Sequence, residues 1–200
     1  MSTSVEIVKG EFYEDFISDD EVAEFETDIE EMKYQKWVDR YPEHAMTIFG
    51  ALIAFSGDQM KEEDVLYFKG KGVNLNVASN VYRSDAGGTT PLGCACEFRL
   101  SELMRSLIKH GALIDLEDQH GFTPIESVLM GHGYNDQFRI DEVEICVKIL
   151  VENNAPEGSA HAFKNELQEH IILEYCGEYW KSDYLSNFLH QSQIRPSTEV

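Results

Sequence analysis

The side chains most able to bind a metal ion or attack a substrate are four cysteines and seven histidines. The cysteines are Cys94, Cys96, Cys146 and Cys176. Their spacing does not match the C-x-x-C pairs of zinc sites and redox motifs, and the histidines are scattered along the chain. Three of the cysteines fall within apolar helical patterns, which is typical of buried free thiols in a reducing compartment. The sequence therefore predicts no metal site and a cytoplasmic protein.

Catalytic and cofactor-binding patterns are not recognised either. Gly131-His132-Gly133 is a short glycine cluster, but no predicted strand precedes it, so it matches neither a phosphate-binding loop nor a dinucleotide fingerprint. No nucleophile can be matched with a general base from the sequence. We therefore expect no catalytic residues and no cofactor. An enzyme whose site lies in the atypical N- or C-terminal parts stays open as an alternative.

One phrase occurs twice, as Gly88-Thr89-Thr90-Pro91-Leu92 and Gly121-Phe122-Thr123-Pro124-Ile125, with the glycines 33 residues apart. Proline suits the first turn of a helix, where no backbone N–H is needed, and the threonine before it can cap that helix. Between the two phrases, residues 103–112 have the pattern of an amphipathic helix, and Gly111 is placed to end it in the left-handed conformation. A fixed period of this length is typical of stacked repeats, because one unit cannot bury its apolar face alone.

This pattern resembles the ankyrin repeat, in which Gly-x-Thr-Pro-Leu opens a pair of short helices and a Gly-Ala turn leads to the next unit. The resemblance covers residues 72–156 and implies an all-α ankyrin-repeat stack with short β-hairpin fingers and irregular helical ends. Gly93 and Glu126 stand where the family usually has a histidine. The Thr–His hydrogen bonds that brace neighbouring repeats are therefore not expected here.

Three parts are expected within one continuous domain. Residues 1–40 form an acidic N-terminal helical cap, in which one helix spans residues 19–40 and begins at Ser18 or Asp19. Residues 41–156 contain the ankyrin repeats with insertions, and residues 157–200 form C-terminal capping helices. Further helices are predicted at 44–55, 61–69, 142–151, 161–176 and 180–190.

Two insertions interrupt the repeat period. Gly111 precedes Gly121 by ten residues, whereas Gly72 precedes Gly88 by sixteen, so the earlier finger carries six extra residues. About ten further residues are placed between the helices of the third repeat, at 131–139. Binding residues concentrate on extended loops that a rigid scaffold holds in place.

Partners of ankyrin proteins usually dock on the concave face made by the fingers and the first helix of each pair. Carried over by position, the resemblance implies partner-binding residues on both fingers and beside the first helices. These are Asn76, Asn80, Tyr82, Arg83, Asp85, Glu117, Asp118, Gln119 and Glu126, with Glu97 nearby, and Tyr134, Asp136 and Phe138 on the insertion. Tyr82 is the strongest candidate, because exposed aromatic residues supply binding hot spots. The alternative is that these are ordinary polar turn residues and a tolerated insertion.

Charge is the second informative property of the chain. Thirty-seven acidic and 16 basic residues give a net charge of −21. Such a field repels nucleic acid and anionic lipid and attracts a basic partner. The alternative interpretation is a solvated surface that serves solubility. No apolar run of membrane-spanning length and no signal peptide is recognised, so no membrane partner is expected.

Protein–protein recognition without chemistry is the predicted function. Bacterial toxin systems include ankyrin-type immunity proteins that bind a cognate toxin, often a basic nuclease, and the charge of this chain suits such an inhibitor. A fold does not determine a function, so two further alternatives stay open. One is an effector or adaptor that holds a cellular protein, and the other is a nucleic-acid mimic that occupies a DNA-binding protein through ordered carboxylates.

Overall fold

The computed structural model describes residues 16–78, 88–119, 121–131, 139–155, 173–174 and 176–192. Within these ranges the chain is all-α, as predicted. The helices are α1 (Asp19–Glu30), α2 (Gln35–Arg40), α3 (Ala45–Ser56), α4 (Glu62–Gly70), α5 (Pro91–Glu97), α6 (Ser101–Lys109), α7 (Pro124–Met130), α8 (Ile140–Glu152) and α9 (Asp183–Gln191). A 3-10 turn at Pro42–His44 leads into α3.

The helices stack in two rows. Helices α1, α3, α5 and α7 contact one another in that order and form the first row. Helices α4, α6 and α8 do the same and form the second row. Each of α3, α5 and α7 also packs against the helix that follows it, so three helix pairs are stacked side by side. Every pair thereby buries apolar surface against its neighbours, as stacking units must.

The predicted helix starts are confirmed at both Thr-Pro phrases. The Thr90 hydroxyl oxygen accepts a hydrogen bond from the Gly93 N–H at 3.1 Å, and Pro91 occupies the first turn of α5. Thr123 accepts in the same way from the Glu126 N–H at the start of α7. Gly111 follows α6 with a φ of 99°, which confirms the left-handed turn predicted there.

The single helix predicted over residues 19–40 is wrong, because the chain turns back between α1 and α2. Met32 has a φ of 60°, and the Lys33 N–H closes the turn on the carbonyl oxygen of Asp28 at 2.6 Å. Trp37 of α2 then donates its indole N–H to the Asp28 carboxylate at 3.0 Å. Ser18 precedes α1, but its hydroxyl donates to the Glu21 side chain and does not cap a backbone group.

A single cluster of buried apolar residues extends from Ile17 to Leu189. All four cysteines are buried and free, as the sequence predicts. At the C-terminal end, Cys176 and Tyr179 are buried with Leu185 and Leu189 of α9, whose bounds replace the predicted 180–190. The helix predicted at 161–176 lies almost wholly outside the described residues.

Strand structure is confined, in the part of the chain that the structure describes, to isolated bridge positions at Ala78 and Thr89. The turns before α5 and α7 are otherwise irregular. Short β-hairpin fingers therefore stay a prediction.

Candidate partner-binding surface

Two fingers connect the helix pairs. The first finger comprises residues 71–90, described at 71–78 and 88–90, and the second comprises residues 110–123, described except at 120. Both leave the end of a second-row helix and lead to the start of the next first-row helix. They therefore lie at the same end of the stack, where the sequence places most of the candidate residues.

Asn76 joins the two fingers. Its side-chain N–H donates to the carbonyl oxygen of Gly111 at 3.0 Å, and its side-chain oxygen accepts from the Leu113 N–H at 2.8 Å. The amide thus pairs a backbone donor and a backbone acceptor of the neighbouring finger. Asn76 is half-buried, and its role in this structure is to hold the fingers in register.

Gln119 holds the fingers together at their far side. Its backbone N–H donates to the carbonyl oxygen of Gly88 at 3.2 Å. A Cβ atom added to Gly88 would lie 2.9 Å from Oε1 of Gln119, so glycine allows this close approach. The Gln119 residue is exposed, which leaves it accessible to a partner.

Asp118 closes the turn that leads into α7. One carboxylate oxygen accepts from the Phe122 N–H at 2.8 Å, and the Asp118 N–H donates to the Phe122 carbonyl oxygen at 2.9 Å. This is the local side-chain-to-backbone bonding that aspartate commonly supplies in turns. Asp118 and its neighbour Glu117 are both half-buried. Together with the exposed Asp115, they make the second finger acidic.

Glu126 does not fit the partner-binding role predicted for it. It is only 1% exposed, because it lies in the first turn of α7 against the rest of the stack. Its carboxylate accepts from the Thr123 N–H at 2.7 Å and from the Thr123 hydroxyl at 2.9 Å. Glu126 therefore forms a capping box with Thr123 at the start of α7.

The environment of Glu126 raises its pKa to about 7. Burial is the main cause, since it disfavours the charged form, and the negative charges of Glu117 and Asp118 act in the same direction. The hydrogen bonds from Thr123 oppose the rise. A titratable carboxyl group thus lies beneath the acidic second finger.

Helix α5 offers no binding face, because residues 91–96 are all buried. Glu97 at its end is half-buried. The backbone of Gly131 approaches this point so closely that an added Cβ would lie 2.0 Å from the Glu97 carbonyl oxygen. The sequence placed Gly131 in an inserted loop, whereas the structure makes it a packing contact between α5 and α7.

Arg99 is a buried residue that the sequence analysis did not identify. It lies between α5 and α6 with a φ of 55°, and its Nε donates to the carbonyl oxygen of Val128 at 3.3 Å. Its Nη2 donates to the carbonyl oxygen of Gly131, and the Tyr179 hydroxyl donates to that of Leu129. Arg99 and Tyr179 thus donate hydrogen bonds to carbonyl groups at the end of α7 that lack partners within the helix. The positive charge of Arg99 is also favourable at a helix C-terminus.

Basic side chains in the described ranges commonly neutralise a nearby carboxylate. On the second row, Oε1 of Glu62 in α4 lies 2.8 Å from Nζ of Lys109 and 2.8 Å from Nε2 of His110. These two contacts lower the pKa of Glu62. Other such pairs are Lys36–Glu24, Lys71–Asp39, Arg139–Asp141 and Lys148–Glu144. Because acids outnumber bases by 21, many carboxylates remain to face solvent or a partner.

Seven of the predicted residues lie outside the described ranges, namely Asn80, Tyr82, Arg83, Asp85, Tyr134, Asp136 and Phe138. The structure thus assigns support roles to Asn76, Asp118 and Glu126, and it leaves Gln119 exposed on the second finger beside the half-buried Glu117.

Among the described residues, no three histidine, cysteine or carboxylate side chains are grouped so that they could hold a metal ion. In the same ranges, none of the helices has the length and apolar character needed to cross a membrane. A scan against protein-family models gives no match for this chain, and neither does a search of curated proteins.

Proposed function

We propose that this chain is a non-catalytic ankyrin-repeat protein whose fingers bind another protein. Most specifically, it is an acidic immunity protein that binds and neutralises a basic toxin or enzyme in the cytoplasm. The observation that carries the proposal is the excess of 21 negative charges on a stack of repeated helix pairs.

The ankyrin assignment is supported by features that recur at equivalent places. Thr90 and Thr123 cap the first helix of successive pairs. Gly72 and Gly111 both follow a second-row helix with a positive φ. Recurrence of the same local geometry in successive helix pairs is typical of a stacked-repeat protein.

Long-range attraction supports the choice of a basic partner. Opposite charge on two proteins raises their association rate, and the effect weakens as salt shortens the Debye length to about 8 Å at physiological ionic strength. Asp115 and Glu117 bring negative charge to the second finger, beside the accessible Gln119. An acidic finger surface would meet the basic cleft of such a partner with complementary charge.

The proposal is tested with the product of the gene adjacent to the one that encodes this chain, since immunity genes lie beside their toxin genes. Coexpression should rescue cells from that product, and calorimetry on the two purified proteins should show a stable complex. Stopped-flow association should slow by at least about tenfold from low to high salt. A complex whose association is insensitive to salt would show that the charge serves solubility alone. Failure to bind would contradict the immunity assignment.

A further inference from the structure

A groove of about 300 Å³ crosses the ends of the three helix pairs. It is lined by three residues between α3 and α4, by residues 98–103, which join α5 to α6 and form the first turn of α6, and by two residues at the start of α8. The residues between α3 and α4 are Gly57, Asp58 and Met60, and those at the start of α8 are Arg139 and Glu142. The first two segments connect the first-row helix of a pair to its second-row helix, and the third lies at the start of the second-row helix of its pair. Because paired helices joined by short loops run antiparallel, the groove lies at the end of the stack opposite the fingers.

Three apolar side chains contribute to the lining of this groove. Met60, Leu100 and Leu103 line it and are each less than 8% exposed. Pockets for small molecules usually measure about 300–1,000 Å³. This groove is at the lower end of that range, which suits one long side chain better than a separate ligand.

Two arginines line the groove, but both are engaged with neighbouring groups. Arg99 donates to the carbonyl oxygens of Val128 and Gly131 at the end of α7. Arg139 pairs with Asp141 at 2.8 Å and Glu142 at 3.0 Å. Neither guanidinium is therefore a ready anchor for an anionic ligand.

The remaining charges on the groove are negative. Asp58 is exposed, and the side chain of Glu102 is 87% exposed. Arg105 approaches Glu102 only at 3.8 Å, and an exposed pair of this kind contributes little free energy. The groove thus combines the apolar side chains of Met60, Leu100 and Leu103 with two accessible carboxylates.

We propose that this groove takes an arginine or lysine side chain of a basic protein partner. The methylene groups of that side chain pack on Met60, Leu100 and Leu103, while its cationic head faces the carboxylates of Asp58 and Glu102. Such a division between apolar stem and charged head matches the chemistry of long basic side chains. The inference rests on the proposed function, which supplies the basic charge of the partner. It adds a second contact surface at the end of the stack opposite the fingers.

The test uses an acetylated pentapeptide, Gly-Arg-Leu-Arg-Gly, titrated into the full chain and followed by amide chemical shifts. The expected shifts are at Leu100, Ser101 and Leu103. The double variant Asp58→Asn with Glu102→Gln should weaken peptide binding by at least fivefold. A peptide with glutamate in place of arginine should not bind.

The matched control is Asp19→Asn with Asp20→Asn, which removes the same charge from exposed positions on α1. It should change peptide affinity by less than twofold, and thermal unfolding of both double variants should match the wild type. Equal losses of peptide affinity in the two double variants would overturn the groove assignment, because they would show a general effect of charge. Shifts confined to the second finger would also overturn it while supporting a basic partner at the fingers. The absence of any peptide binding would overturn the groove assignment alone, since salt-dependent association with the natural partner tests the proposed function separately.

Discussion

The backbone N–H and the hydroxyl of Thr123 both donate to one carboxylate oxygen of Glu126, at 2.7 and 2.9 Å. In return, the Thr123 hydroxyl oxygen accepts from the Glu126 N–H at 3.4 Å. This reciprocal pair begins α7 and buries a carboxyl group beneath the second finger. The arrangement fixes the helix start, but it also places an ionisable group where charge is disfavoured.

Stability should therefore depend on the protonation of Glu126. Its pKa rises from 4.5 to about 7 on folding, so the folded protein binds an additional proton between these pH values. The contribution of this group to the free energy of unfolding is largest below pH 4.5 and is lost as the pH rises to about 7. The full difference is at most about 3 kcal/mol. Urea unfolding at a series of pH values measures it.

The variant Glu126→Gln isolates this effect, because the amide cannot ionise and keeps an oxygen for Thr123. The wild type should lose stability relative to this variant from pH 5 to pH 8. Glu102→Gln, which removes a carboxylate whose side chain is 87% exposed, should retain the wild-type pH dependence in this range. Parallel profiles for the wild type and Glu126→Gln would show that Glu126 is ionised throughout.

Gly131→Ala should destabilise the stack. The new Cβ would lie 2.0 Å from the carbonyl oxygen of Glu97, so α5 and α7 must move apart. Overpacking of this kind costs about 1–3 kcal/mol. Gly70→Ala in α4 is the control, since its Cβ meets nothing within 4 Å, and it should be neutral or stabilising by up to about 1 kcal/mol. Equal unfolding midpoints for the two variants would contradict the close approach at Gly131.

Arg99→Met should remove the buried cation at the end of α7 without changing the strain of a non-glycine residue at a φ of 55°. Loss of buried hydrogen bonds from a charged group costs about 2–4 kcal/mol. Hydrogen exchange should also rise at residues 176–192, because Tyr179 meets the same helix end. The exposed Arg105→Met should change stability by no more than about 0.5 kcal/mol. Similar losses of stability in Arg99→Met and Arg105→Met would show that the hydrogen bonds of Arg99 do not stabilise the end of α7.

Features set by neighbouring residues were predictable from the sequence. The Thr-Pro phrases specify helix starts because the capping oxygen and the missing N–H act within one turn. Gly111 marked a helix end because glycine adopts a positive φ at little cost. Helices α3, α4 and α8 agree with their predicted positions to within about two residues.

Features that depend on distant parts of the chain were not predictable. Met32 and Arg99 have positive φ values, although neither residue type favours them. The contact between Gly131 and Glu97 is known only once α5 and α7 are placed side by side. The sequence predicted Glu126 to be a partner-binding residue, and only the stack shows that it is buried. These positions explain why the candidate site was predicted less well than the helices.

Asn76 should matter first for stability, although the sequence places it among the binding residues. Both polar groups of its amide bond to the neighbouring finger, at Gly111 and Leu113. Asn76→Ala leaves a backbone donor and a backbone acceptor without this partner, at a cost of about 1–3 kcal/mol. Asn153→Ala is the matched control, since within the described residues that side chain donates to the carbonyl oxygen of Ile149 in the helix that it ends, and its loss should cost about 1 kcal/mol or less. Hydrogen exchange at the Leu113 amide should rise in Asn76→Ala and stay unchanged in Asn153→Ala. If Asn76→Ala instead keeps wild-type stability and Leu113 protection, the amide does not hold the fingers together, and its predicted role in partner binding becomes the better explanation.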